Sequence, residues 1–190
     1  VSRFNIDHIS SGLPGDYEDK QARYIEAQVN GIWLASIYLP NGNPAPGPKF
    51  DYKLQWMERL NTRAKDFLRS EKLVVLGGDF NVIPEDRDCY DPIGWAGDAL
   101  TQSQTRKAFR KLLYSGYYDA LRMAKPNDVI YTYWDYQGGA WQLDNGVRID
   151  REVVRGQPLE RPVADGRRVD QEERDAQVLG ARHALGDAVG

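Results

Sequence analysis

Residues 73–81 read Leu-Val-Val-Leu-Gly-Gly-Asp-Phe-Asn, and this stretch decides the fold. A short apolar run that ends in two glycines is typical of a strand buried on both faces. Asp79 and Asn81 lie two residues apart, so their side chains point the same way in an extended chain. A carboxylate and a carboxamide at the end of such a strand can hold a hard metal ion, a water or a phosphate oxygen. The alternative is a strand that simply ends in an Asx turn.

Length, charge and cysteine content restrict the class of protein. A chain of 190 residues is long enough for one domain with a real core. The formal net charge is −3, so any nucleic-acid site must be a local basic patch. The single cysteine, Cys89, excludes an internal disulfide and suits a reducing compartment such as the cytoplasm. No apolar run reaches membrane-spanning length, so we expect no membrane association.

Hydrophobic spacing predicts a mixed α/β chain. Strands are predicted over 23–29 and 32–39, joined as a hairpin at Asn30-Gly31. Apolar residues at helical spacing predict a long helix over 50–70. Thr101 or Ser103 begins a second amphipathic helix that ends at Gly116. Further strands are predicted over 1–9, 117–121, 129–134 and from 147 onward.

The composition changes sharply after Asp150. Every aromatic residue lies at or before Trp141, and the last lysine is Lys125. Residues 151–190 consist mostly of Arg, Asp, Glu, Gly, Ala, Val and Gln, and they cannot bury much apolar surface. We therefore predict a partial domain over 1–150 and a poorly ordered or loosely docked tail over 151–190.

Four motifs appear in a fixed order and together carry a resemblance. They are Tyr38-Leu39-Pro40-Asn41-Gly42, Gly77-Gly78-Asp79-Phe80-Asn81, Tyr131-Thr132-Tyr133-Trp134-Asp135-Tyr136 and Arg148-Ile149-Asp150. In this order the chain resembles the exonuclease III family of abasic-site DNA repair nucleases, over about residues 1–150. The resemblance implies a four-layered α/β sandwich, incomplete here, in which two mixed sheets pack face to face with helices outside. It also implies hydrolysis of DNA phosphodiesters with Mg²⁺, or with Mn²⁺ as the alternative ion.

The resemblance also implies roles for individual residues. Asp79 matches the aspartate that positions or deprotonates the water, and Asn81 matches the asparagine that holds the scissile phosphate. Tyr38 matches the active-site tyrosine, and Asp150 matches the aspartate that supports a catalytic histidine. Asp79 and Asn81 are also the predicted metal ligands. The residues that match the pocket for a flipped-out abasic sugar are Tyr133, Trp134 and Val147.

Other features depart from the family or stay open. The family's metal-binding glutamate lies upstream of Val1, and no Ser-Asp-His triplet occurs in this chain. Its two histidines, His8 and His183, lie in no matching motif. A basic cluster on the second predicted helix is either a solvated face or a surface that follows phosphates; its members are Arg106, Lys107, Arg110 and Lys111.

Three functions therefore remain. The first is a Mg²⁺-dependent abasic endonuclease and 3′-to-5′ exonuclease, acting as a monomer on duplex DNA with abasic sites or 3′ ends. The second is a catalytically defective remnant with weak or no DNA binding. The third is a phosphatase or phosphodiesterase for small substrates.

Overall fold

The computed structural model describes residues 2–155. Its helices and strands are β1 Ile6–Ser11, β2 Tyr24–Val29, β3 Ile32–Tyr38, α1 Pro48–Arg69, β4 Val74–Asp79, α2 Ser103–Tyr114, β5 Tyr118–Asp119, α3 Ala120–Ala124, β6 Tyr133–Trp134, β7 Gly146–Val147 and β8 Asp150–Arg155. A single 3₁₀ turn spans Asp86–Asp88. None of the helices described is both long and apolar enough to cross a bilayer.

Six strands form one mixed sheet in the order β1-β2-β3-β4-β8-β5, and β6 pairs with β7 in a second, small sheet. The predicted hairpin is confirmed: Asn30 and Gly31 both take positive φ between β2 and β3. β3 runs parallel to β4, and the helix α1 connects them. β8 is antiparallel to β4 and lies in the interior of the sheet. The predicted α/β class is thereby confirmed.

The helices α1 and α2 cover one face of the large sheet. The predicted apolar stripe of α1 is confirmed, because Trp56, Leu60 and Phe67 are buried in the main core cluster. From α2, Phe109 meets Phe80 edge-on, with ring centroids 5.8 Å apart. Alternation along the strands sends every second side chain into this core.

The prediction that β4 is buried on both faces is wrong within the described residues. Val74 and Leu76 are buried under the helices, whereas Val75 and Gly77 are only half-buried. The reason is that side chains alternate across the sheet, and only the helix-covered face is closed by residues 2–155. An apolar run alone does not tell how many faces are covered.

The strand predicted from residue 147 onward extends past Asp150, into the first five residues of the segment predicted to be a poorly ordered tail. β8 continues to Arg155 and pairs with all of β4, and Val153 is fully buried. Most residues of this segment are charged. The strand still forms because its side chains alternate between the two faces, and Val153 occupies a core-facing position. Residues 156–190 of the predicted tail, with His183, lie outside the described residues.

Three predicted strands differ in extent. Strand β5 stops after two residues, because the Asp119 side chain accepts a hydrogen bond from the Arg122 amide and begins α3. In the segment 129–134, only Tyr133 and Trp134 pair as a strand. The first strand begins and ends later than predicted, at Ile6 and Ser11.

Candidate active site

Three neighbouring strands place Tyr38, Asp79 and Asp150 in one row. Tyr38 lies opposite Asp79 in the parallel β3–β4 pair, and Asp79 lies opposite Asp150 in the antiparallel β4–β8 pair. Adjacent strands are about 4.8 Å apart. The chain neighbours Ile37 and Arg151 are buried on the helix side, so alternation directs this row to the opposite face. There Tyr38 is 54% exposed, and Asp150 is exposed.

Asn81 fixes the orientation of the Asp79 carboxylate. The backbone nitrogen of Asn81 donates to Asp79 Oδ1 at 2.7 Å, and its side-chain Nδ2 donates to Asp79 Oδ2 at 3.0 Å. The same Nδ2 also donates to the Leu39 carbonyl at 2.8 Å. The turn that permits this geometry needs Gly78, because a Cβ there would lie 2.2 Å from the Ile37 carbonyl oxygen. The bond from the Asn81 backbone to Asp79 Oδ1 is the Asx turn given above as the alternative, and Asn81 has a φ of 46° instead of an extended conformation. The two polar residues form one unit through this turn.

Lys53 supports this unit from inside the protein, and the sequence analysis missed it. Its Nζ donates to the carbonyl oxygens of Asn41 at 2.8 Å and of Asn81 at 2.7 Å. Burial lowers the pKa of Lys53 to about 7, although Asp98 and Asp79 act in the opposite direction. The available signal was a lysine on the apolar stripe of α1, three residues after Phe50 and four before Met57.

The electrostatics of Asp79 suit a group that exchanges a proton with water. Burial raises the pKa of Asp79 to about 6, and the nearby charge of Asp150 adds to this rise. The hydrogen bond from the Asn81 amide and the charges of Lys53 and Arg151 limit it. A carboxylate with a pKa close to the working pH is ionised and still basic enough to accept a proton.

A buried ion cluster lies behind Asp150. Arg148 donates from Nε to Asp88 Oδ1 at 2.9 Å, and its Nη1 and Nη2 grip Asp119 at 3.1 and 2.9 Å. Burial alone would raise the pKa of Asp119, but the hydrogen bonds and charge of Arg148 hold it below the ordinary value. Within Arg148-Ile149-Asp150, the arginine is therefore structural and only the aspartate reaches the row.

The predicted pocket residues differ in what they can contact. Tyr133 lies opposite Val147 in the small sheet and is partly exposed. Its pKa is raised by burial and by the surrounding charges and phenols, which include Asp79 and Tyr38. Trp134 donates from Nε1 to Asp144 at 3.0 Å. Val147 is only 2% exposed and packs in the second apolar cluster, so its side chain is not open to direct contact with a ligand.

The described residues supply some, but not all, of the oxygen ligands that a hard metal ion requires. Asp79 and Asp150 supply two carboxylates side by side, and Mg²⁺ commonly takes one or two carboxylates and keeps several waters. The amide of Asn81 is less free for this role, because its oxygen faces Asn41 Nδ2 at 3.3 Å. Within residues 2–155, no group of three or more His, Cys, Asp and Glu side chains is placed to hold a metal.

The basic cluster on α2 is largely engaged within the protein. Arg106 pairs with Asp86, and Lys111 pairs with Glu58. Arg110 points toward the Pro84 carbonyl. These contacts favour a solvated structural face over a surface that follows phosphates.

Comparison with known proteins gives a consistent result. The sequence profile of the Endonuclease/Exonuclease/phosphatase family matches residues 1–171. The chain is 29% identical to an exodeoxyribonuclease of Bacillus subtilis over 173 residues, which is 90% of this chain and 65% of the relative. It is 28% identical to the DNA repair nuclease APEX1 of Danio rerio, over 77% of this chain and 47% of the relative. The chain thus spans about half to two thirds of the length of these relatives.

Solved structures agree. A 3′-5′ exonuclease from Neisseria meningitidis has a TM-score of 0.78 at 38% identity, over 80% of this chain and 60% of that one. An AP endonuclease from Archaeoglobus fulgidus has a TM-score of 0.75 at 33% identity, over 80% of this chain and 59% of that one. The resemblance inferred from the four motifs is confirmed: the chain belongs to the Endonuclease/Exonuclease/phosphatase family, whose nucleases depend on a metal ion.

Proposed function

We propose that this chain carries the catalytic face of a DNA repair nuclease that hydrolyses phosphodiesters at abasic sites and at 3′ ends of duplex DNA. The observation that carries the proposal is the row of Tyr38, Asp79 and Asp150, with Asn81 bonded to both oxygens of Asp79. The exodeoxyribonuclease and AP endonuclease named among its relatives support the choice of DNA as the substrate.

Each residue of the row has a task in this reaction. Asp79 orients the attacking water and accepts its proton, for which its raised pKa suits it. Tyr38 places its hydroxyl beside the scissile phosphate and donates a hydrogen bond as the charge of the phosphate grows. Both hydrogens of Asn81 Nδ2 are taken by Asp79 and the Leu39 carbonyl, so Asn81 acts by orienting Asp79 and does not hold the phosphate as predicted. A Mg²⁺ ion, or Mn²⁺ as the alternative, held by Asp79 and Asp150, would supply charge relief at the phosphate and the leaving oxygen.

The aromatic segment gives the proposed site its selectivity. Tyr133 is partly exposed beside the row, and Trp134 is held by Asp144 and by the ring of Trp141, whose centroid is 4.6 Å away. We assign these two side chains to the walls of a pocket for a base-free sugar, with Val147 behind them. A base would not fit a pocket that is shaped for the sugar alone, and this would select abasic sites.

Two other functions have specific support. A 3′ phosphatase from Neisseria, solved with a product DNA hairpin, has a TM-score of 0.78 at 37% identity and favours phosphate-monoester removal. The pair of carboxylates without a third metal-ligating side chain in the described part of the chain favours a remnant of low activity. Because the described residues place only two carboxylates to bind the metal, we expect the 190-residue chain to incise DNA slowly.

The remaining assignments follow from the same features. The thiol of Cys89 is free and buried, which favours a reducing compartment, and we assign the protein to the cytoplasm. We propose that it acts as a monomer, because the row lies within one chain.

The test is incision of a duplex that carries one abasic site, with and without millimolar Mg²⁺. We expect metal-dependent incision that falls about 10²- to 10⁴-fold in Asp79→Asn, the usual contribution of a positioned acid-base group. Asp51→Asn makes the same change at an exposed acid of α1 and should incise like the unmodified chain. Incision that survives Asp79→Asn would remove Asp79 from the mechanism. Release of phosphate from a 3′-phosphorylated end without incision would select the phosphatase.

A further inference from the structure

We infer that Thr132 is a positioning residue for Asp150, a role that rests on the function proposed above. The Thr132 hydroxyl oxygen accepts hydrogen bonds from the amides of both Ile149 and Asp150, each at 3.0 Å. A hydroxyl oxygen has two acceptor lone pairs, so these two bonds use its full accepting capacity. One side chain therefore holds the backbone at the point where the carboxylate leaves it.

The backbone matters here because the carboxylate has no other support among the residues that the structure describes. Asp150 is exposed, and within residues 2–155 no protein donor bonds its carboxylate oxygens. Its place beside Asp79 therefore depends on the main chain of residues 148–150. A carboxylate that is held only through its backbone shifts as soon as that backbone shifts.

The neighbouring polar groups of this backbone are already committed elsewhere. The Arg148 amide donates to the Asp88 carbonyl at 2.9 Å, and the Ile149 carbonyl accepts from the Phe80 amide at 3.0 Å. The Arg148 carbonyl accepts from Arg151 Nη2 at 2.6 Å. These contacts do not involve the backbone amides of Ile149 and Asp150, and both amides donate to the Thr132 hydroxyl.

Thr132 also connects Asp150 to the proposed pocket. Its own amide donates to the Val147 carbonyl at 3.0 Å, which fastens it to β7. The next residue is Tyr133, one of the proposed pocket walls. Thr132 thus links the pocket segment to the backbone that carries Asp150.

The test compares Thr132→Val, which keeps the shape of the side chain but loses the oxygen, with Thr132→Ser, which keeps the oxygen. The matched control is Thr101→Val, because Thr101 is also half-buried and its hydroxyl also makes two contacts, to the carbonyls of Trp95 and Asp98. Melting curves of all variants are recorded first, so that measurements are made only well below each transition.

The first measurement is hydrogen exchange of the amides of Ile149 and Asp150. We expect exchange at these two sites to become about tenfold faster or more in Thr132→Val, since each amide loses the acceptor that the described residues give it. Thr132→Ser and Thr101→Val should exchange like the unmodified chain at both sites. Equal exchange in all four proteins would overturn the inference.

The second measurement is the affinity for Mn²⁺ alone, from the electron paramagnetic resonance signal of the free ion. We expect a loss of about 10- to 100-fold in Thr132→Val, as is usual when the group behind a metal ligand is removed, and near-normal binding in Thr132→Ser. Unchanged Mn²⁺ binding in Thr132→Val would overturn the positioning role.

Failure of the proposed function is distinguishable from failure of this inference. If the unmodified chain binds no Mn²⁺ and incises no DNA, the proposed nuclease site fails. The exchange data then decide alone: the inference stands only if Thr132→Val, and not Thr132→Ser, accelerates exchange at Ile149 and Asp150.

Discussion

The two faces of the six-stranded sheet differ in what they do for the protein. On the face under α1 and α2, Leu76 and Val153 have no exposed surface and pack among the aromatic side chains of the helices. On the other face, Ile25 is 47% and Tyr38 is 54% exposed. The same strands build both faces by alternation. The covered face stabilises the fold, and the open face presents the groups proposed for catalysis.

The faces also differ in how their charges are arranged. In the protein interior, the buried Arg148 donates well-formed hydrogen bonds to Asp88 and Asp119. On the open face, Asp79 and Asp150 lie side by side, and their repulsion contributes to the raised pKa of Asp79. Paired charges fix a structure, whereas unpaired like charges attract a cation or a proton. This difference predicts which substitutions affect stability.

Removal of a paired buried charge should have the largest effect on stability. We expect Arg148→Met to lower the free energy of unfolding by about 3–5 kcal/mol, because Asp88 and Asp119 are left as buried charges without their main partner. Urea unfolding followed by circular dichroism measures this. Arg69→Met is the control, since Arg69 is exposed and its pair with Asp66 should contribute less than about 1 kcal/mol. Equal losses in both variants would contradict the structural role of the cluster.

Truncation of an apolar side chain compares the faces directly. Leu76→Ala should lower the free energy of unfolding by about 2–5 kcal/mol, through lost burial and a cavity. Ile25→Ala removes a similar side chain from the open face, and we expect a loss below about 1 kcal/mol. The same urea titration gives both values. If Ile25→Ala costs as much as Leu76→Ala, the open face is covered in solution and the comparison fails.

The smallest expected effect is on the free energy of unfolding at acidic pH. The pKa of Asp119 is lowered from its ordinary value of 3.8, mainly by Arg148 acting against burial. An acid with a lowered pKa in the folded state stabilises the fold above its unfolded pKa, and this contribution is lost as the pH falls through the folded value. The stability difference between the unmodified chain and Asp119→Asn should thus be constant from pH 7 to about 5 and shrink below about 4. A difference that does not change with pH would show that the charge of Asp119 is unimportant.

Local patterns were sufficient where one physical rule dominates. The Asn30-Gly31 hairpin was predicted because few residue pairs tolerate positive φ at both turn positions. The helix α1 was predicted because its apolar residues repeat with the helical period. The continuation of β8 beyond Asp150 was missed because composition was given more weight than the alternation around Val153.

The site residues divide in a similar way. The Asx turn at Asp79 was open to prediction as the alternative to an extended chain, because its hydrogen bond joins residues only two apart. The sequence signals Lys53 only as a lysine on the apolar stripe of α1, and it does not show which groups this lysine contacts. Its three carbonyl acceptors come from Asn41, Asn81 and Ala99, which only folding brings together.

The sequence by itself determined the α/β class, the hairpin, the long helix and the order of the four motifs, because each depends on residues close together in the chain. Only the tertiary structure decided the rest. Strand register set Tyr38, Asp79 and Asp150 side by side, and the register depends on pairing between segments that are about 40 to 70 residues apart. The contact of Thr132 with Asp150 has the same origin, since it joins residues 18 positions apart through the pairing of the Thr132 segment with β7. Side-chain identity supplies the chemical groups, and long-range pairing determines which of them meet.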